Sequence, residues 1–254
     1  MDIKEGIGVM ARIDTITYKS WEEFKSTVVP ELFGNASFQR GVYIFRGQAF
    51  SEWRLEPSFD RCFKMLDKAE RSRTHDRLLL LFRKECEGMN VPKDIWNDNL
   101  KALALGQHYG LPTRLLDWTE SPYVASFFAF SDATSLGMRK GYVAVWALDT
   151  RVSIWSAESG VDIIDVPSIG NIRHRNQAGK FTLSKTPFNC LEDYVEFCDE
   201  NAVALKKFLI PIHDCRKALA DLDVMGINHS RVYPELIGCA LSAKIRIMLD
   251  EGII

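Results

Sequence analysis

The chain has 254 residues, 46% hydrophobic, 26% charged and 11% aromatic, a balance that supports a buried core and excludes disordered, collagen-like and disulfide-scaffold classes. Lys and Arg total 32 against 34 Asp and Glu, for a net charge of −2, so no broad basic field can grip nucleic acid and any anion site must be local. The longest apolar stretches, at 78–82 and 123–130, fall far short of the ~20 residues of a membrane-spanning helix. The N-terminal MDIKEGIGVM lacks both the basic region and the apolar run of an export signal. These features predict a cytoplasmic protein with no membrane partner. The six cysteines show no C-x-x-C pair or zinc spacing, so free, mostly buried thiols and no bound metal are expected.

In chain order, Ser20-Trp21-Glu22-Glu23 reads as a capping box that opens a helix running towards Val29, with Pro30 ending it. The segment 41–46, Gly-Val-Tyr-Ile-Phe-Arg, is β-branched and aromatic between two glycines and predicts a buried strand ending at Arg46-Gly47. A helix is expected over 66–87, with Leu78, Leu79, Phe82 and Cys86 on one face, and its run of basic residues from Arg71 to Arg77 on a solvated face. Pro92-Lys93-Asp94 opens another helix, through Leu105. Ser121-Pro122 places an N-cap and a first-turn proline ahead of an apolar helix to about Asp132, whose all-round apolarity implies burial.

The clearest strand is 141–148, and 151–155, 161–166 and 203–210 are shorter ones. A last helix is expected from near Pro234 to Leu249, with Leu236, Ile237, Ala240, Leu241, Ile245 and Met248 inward. Helices prevail early and strands late without regular βα alternation. That order predicts an α+β fold with a mixed or antiparallel sheet core, one globular unit over 36–254 behind a helical lead-in at 1–35.

Three segments interrupt apolar surroundings with polar residues that packing does not require: Tyr43-Ile-Phe-Arg-Gly-Gln48, Gly106 to Pro122, and Arg173 to Phe181. Arg46 offers a planar fork of donors suited to phosphate or carboxylate, and Gly47 allows close backbone approach; an internal carboxylate partner for Arg46 is the alternative. The middle segment concentrates Gln107, His108, Tyr109, Arg114, Asp117, Trp118 and Glu120. His108 and Asp117 form a conceivable acid–base pair on a turn. Arg114 and Asp117 can equally lock that turn by bonding each other, while Gln107, His108, Tyr109 or Arg114 meets a ligand. Trp118 reads as core, with stacking on a ring as the alternative.

These three segments resemble the FRG domain family, named for Phe45-Arg46-Gly47 as it stands here. The likeness extends over 53–61 and 233–238, and so spans roughly residues 36 to 240. A second resemblance links Phe45-Arg46-Gly47 to the strand-end step of mono-ADP-ribosyltransferases. It implies NAD as ligand, with Phe45, Arg46, Gly47, Gln48, Gln107, Tyr109, Arg114 and Arg173 around it and Arg46, His108, Asp117, Glu120 and Gln177 as the reacting set. In those enzymes a late Glu steadies the ribose. From Pro167 to Leu191 this sequence has no acid, and Gln177 stands where that Glu is expected, so Glu120, Asp117 or Glu235 would have to supply the charge.

The acceptor would be a nucleic-acid base or a protein, in conflict between bacteria and their viruses. A non-catalytic module that senses a nucleotide or binds nucleic acid is the alternative. Charge placement bears on both: 34–51, 100–116 and 167–191 contain eight bases and no acids, which leaves 24 bases against 34 acids elsewhere. If the three segments converge, they form a positive cleft for a phosphate-bearing ligand in an acidic body.

Overall fold

A computed structural model describes residues 12–34, 38–165, 179–198 and 202–254. Among the described residues seven strands form one mixed sheet: β1 (Arg12–Thr17), β2 (Tyr43–Gln48), β3 (Leu115–Thr119), β4 (Tyr142–Asp149), β5 (Val161–Ile164), β6 (Gly179–Ser184) and β7 (Val203–Pro211). Their spatial order is 1-7-4-2-3-6-5. Only β1 and β7 run parallel; every other neighbouring pair is antiparallel. With the helices around it this is the α+β class that the element pattern implied.

The unbroken apolar run of β4 follows from its central place. Val143, Val145 and Ala147 enter one core, and Ala144, Trp146 and Leu148 enter the other, so both faces are buried and no polar alternation survives. The first core is closed by α1 (Trp21–Phe33) and α6 (Pro122–Ser135). As the sequence implied, the Ser121 hydroxyl accepts from the Val124 amide at the start of α6, and Pro122 occupies its first turn. β1 and α1 belong to this same sheet and core, so residues 12–34 begin with an edge strand and are not solely helical. Among the described residues no helix is long and apolar enough to cross a membrane.

Several local expectations change. Pro30 lies inside α1, which runs on to Phe33, because Trp21, Phe24, Val28 and Leu32 are all buried on one stripe and packing carries the helix past the proline. Residues 151–155 turn instead of pairing; Val152, Ile154 and Trp155 are apolar because they plug the second core. The helix expected after Pro92 splits into α4 (Lys93–Trp96) and α5 (Asn99–His108), since the Asp98 carboxylate caps the amides of Leu100 and Lys101 and restarts the turn.

α2 (Ser58–Cys62) and α3 (Lys68–Glu85) follow β2, and α7 (Leu191–Phe197) covers part of the second core. Arg71 and His75 of α3 are buried, not solvated, because Arg71 reaches the Asn189 side chain and faces Asp60. Near the C-terminus come α8 (Cys215–Val224), α9 (His229–Val232) and α10 (Leu236–Asp250). α10 leaves Leu236 and Ile237 exposed and buries its small residues Gly238 and Ser242 instead. A Cβ on Gly238 would come within 1.9 Å of the Tyr233 carbonyl oxygen, so the close approach selects glycine there. All six cysteines are free, but only Cys190 is buried.

Candidate functional site: a cleft where two strands part

β2 and β3 are paired only at Phe45 and Thr119. Beyond that point β2 stays with β4 as far as Gln48, and β3 stays with β6 along its whole length. The sheet therefore opens between them, and a cavity of about 390 Å³ lies in the opening. That volume is within the range of small-molecule sites. β2 contributes Phe45, Arg46 and Gly47, and β3 contributes Asp117, Trp118 and Thr119. Ala104, Gln107 and His108 come from α5, Phe128 and Asp132 from α6, and Phe181 and Tyr233 complete the wall.

The three residues of Phe45-Arg46-Gly47 do three separate things. Phe45 alternates into the first core and is fully buried. Arg46 spans the opening: its Nη1 donates to the Asp117 carbonyl at 2.8 Å and lies 3.7 Å from the Asp117 carboxylate. Burial pulls the guanidinium below its ordinary pKa, and the charges of Asp117 and Asp132 oppose that pull. Its Nε is buried without a hydrogen-bond partner among the described residues. Gly47 is dictated by α6, since an added Cβ would fall 1.9 Å from the Ala125 carbonyl oxygen and 2.9 Å from the Ala129 nitrogen. The glycine that the sequence assigned to ligand approach is first required for helix packing.

Asp117 is held from α5. Gln107 Nε2 lies 2.8 Å from each carboxylate oxygen, and the Thr113 hydroxyl donates to Gln107 Oε1. His108 lines the same cavity, with its ring edge-on to Tyr109. Trp118 is core, its Nε1 donating to Thr182 Oγ1 at 3.0 Å, and it also forms part of the cavity wall. Asp132 was not singled out from sequence. It sits one helical turn beyond Phe128, so both reach the cleft from the face of α6 that crosses Gly47. Asp132 keeps surface open to solvent, yet desolvation by its neighbours raises its carboxyl above the usual carboxylate range, with Arg46 opposing. Only the packing of α6 on β2 shows that this acid faces Arg46.

Other expected site residues stand elsewhere. Arg114 does not pair with Asp117. Its Nε lies 3.1 Å from Asp60, and its Nη2 donates to the Thr186 and Phe188 carbonyls, in a buried network outside the cavity. Arg114 sits in the bend just before β3, and its side chain is taken up there by Asp60 and the carbonyls of Thr186 and Phe188. Gln48 is buried between the Arg54 carbonyl and Trp146 Nε1, a structural post and not a wall of the cleft. Tyr109 is 75% exposed beyond the end of α5. Glu120 lies 3.7 Å from Lys180. Arg173 and Gln177 lie outside the described residues.

The positive cleft expected from the acid-free segments does not form among the described residues. Lys101 pairs with Asp94 at 3.2 Å, Arg114 with Asp60 and Arg46 with Asp117. The described wall holds one guanidinium, one imidazole and two carboxylates.

The FRG domain family model matches residues 41–136. Residues 41–136 carry an FRG domain. The matched segment runs from the start of β2 to the end of α6, and it contains every charged residue of the described cleft wall. Phe181 and Tyr233 reach the cleft from outside the matched FRG segment, which is shorter than the span 36–240 inferred from sequence. No curated protein and no solved structure matches the chain.

Proposed function

We propose that the cleft of this FRG domain binds a nucleotide-like ligand, NAD, through its nicotinamide riboside end, and that the protein is an ADP-ribosyltransferase-like enzyme. The observation that carries the reading is that Arg46, inside β2 where it has parted from β3, lines the same cavity as two carboxylates, Asp117 and Asp132. The absence of an acid between Pro167 and Leu191 then loses its force, because the charge that an oxocarbenium-like transition state needs is supplied from β3 and α6. In the proposed step the C1′–N bond of NAD breaks, its electron pair leaves on the nicotinamide nitrogen, and an acceptor oxygen or nitrogen bonds to C1′. His108 takes the proton that the acceptor gives up. Arg46 holds the ribose or nearest phosphate, Arg173 faces the acceptor or diphosphate, and Gln177 holds a ribose hydroxyl. Conflict between bacteria and their viruses is the setting in which such chemistry would serve.

A second reading, a non-catalytic nucleotide sensor, is favoured by one feature: the Asp117 carboxylate is already engaged by Gln107 and Arg46. Incubation with labelled NAD, cell nucleic acid and cell protein separates the two. Release of nicotinamide and transfer of label, both abolished in Arg46→Ala, support the enzyme. Tight NAD binding lost in Arg46→Ala without turnover supports the sensor, and neither binding nor turnover rejects the nucleotide reading altogether.

A further inference from the structure

Resting on the NAD reading, we infer that Asp132 is the counter-charge for a cationic heteroaromatic ring, so that the cleft selects the oxidised, pyridinium form of the dinucleotide over the neutral dihydropyridine form. The charges of the cleft are unequally committed. Asp117 is bound to Gln107 and close to Arg46, and Arg46 in turn donates to the β3 backbone, so those two charges largely offset each other. The Asp132 carboxylate has no hydrogen-bond or ion-pair partner among the described residues. Its neighbours in the wall include the rings of Phe128, Phe181 and Tyr233.

A phosphate beside Asp132 would meet a carboxylate, whereas a flat delocalised cation there would meet aromatic faces and a negative charge that no ion pair among the described residues engages. Such a cation is weakly hydrated, loses little on entering an apolar slot, and gains from both kinds of neighbour. Desolvation already holds the Asp132 carboxyl above its usual range, and binding of a cation favours its ionised form. The other titratable groups lining the cleft are Arg46 on β2, Asp117 on β3, His108 on α5 and Tyr233 after α9.

The test measures NAD and NADH affinity by calorimetry for the wild type, Asp132→Asn and Asp132→Glu. These probes share both phosphates and both riboses and differ in ring charge. Wild type is expected to prefer NAD by about tenfold or more, Asp132→Asn to lose that preference while keeping NADH affinity, and Asp132→Glu to restore part of it. NAD affinity of the wild type should also rise with pH through the carboxyl titration, and this dependence should flatten in Asp132→Asn. Equal binding of NAD and NADH by wild type, or an undiminished preference in Asp132→Asn, overturns the counter-charge and leaves the NAD reading standing. Failure of both dinucleotides to bind wild type overturns the two together.

Discussion

Replacing Gly47 with alanine tests whether the glycine of the Phe45-Arg46-Gly47 step is there for the helix. The new Cβ would stand 1.9 Å from the Ala125 carbonyl oxygen, against 3.4 Å at the near edge of ordinary contact, so α6 would have to retreat by about 1.5 Å. The obstacle is helix backbone and not the end of a flexible side chain, which puts the cost near the top of the overpacking range, about 3 kcal/mol. For a chain of this size that corresponds to a fall in Tm of roughly 6–12 °C. The assay is differential scanning calorimetry with urea unfolding at fixed pH. Gly137→Ala is the control: that glycine has φ +70° and open space around its Cβ, so the cost is left-handed backbone strain of about 1 kcal/mol. If Gly47→Ala melts like wild type or like the control, the packing argument is refuted. The same retreat carries Phe128 and Asp132 away from Arg46, so ligand affinity should fall with stability.

Removing Asp60 in Asp60→Ala strands Arg114 and Arg71, which are nearly fully buried around it, and should cost about 3–5 kcal/mol in denaturant unfolding; a loss below about 1 kcal/mol would show that the network is not a stability element. Burial pushes His75 down to about 4, so the unfolded chain takes up a proton near 6.5 that the native state refuses until about 4. Stability should therefore fall as pH drops through that window, by up to about 3 kcal/mol from this residue, and His75→Gln should flatten the slope relative to wild type. The buried His229 acts in the same direction, and the raised carboxyls of Asp60 and Asp132 act oppositely, so the comparison of slopes is the informative quantity. Ser121→Ala removes the hydroxyl that caps α6 and should cost about 1 kcal/mol, read as a shift in urea midpoint at unchanged m-value. Gln107→Leu releases the Asp117 carboxylate from its two contacts; under the enzyme reading it should change kcat for NAD cleavage more than Tm, and an unchanged rate would remove Asp117 from the reacting set.

Local chemistry in the sequence determined much of the framework. Ser121-Pro122 marked the start of α6, the apolar run at 142–149 marked a strand, and the polar residues at 46, 107, 108 and 117 marked the cleft, because caps, apolar runs and unexplained polar groups are read within a few residues. Pairings over long separations were not legible. β3 hid inside a segment that reads as a turn, since five residues, Leu115–Thr119, are too short to show a period without their partner β6. Arg114 and Asp117 looked like each other's partner, and tertiary packing gave them to Asp60 and Gln107 instead. Asp132 looked like the polar end of an apolar helix until α6 was laid across Gly47. Sequence alone determined which residues are polar without a packing reason. Tertiary structure decided which of them share a cavity and with what net charge, because that depends on where two strands separate and how closely one helix approaches them.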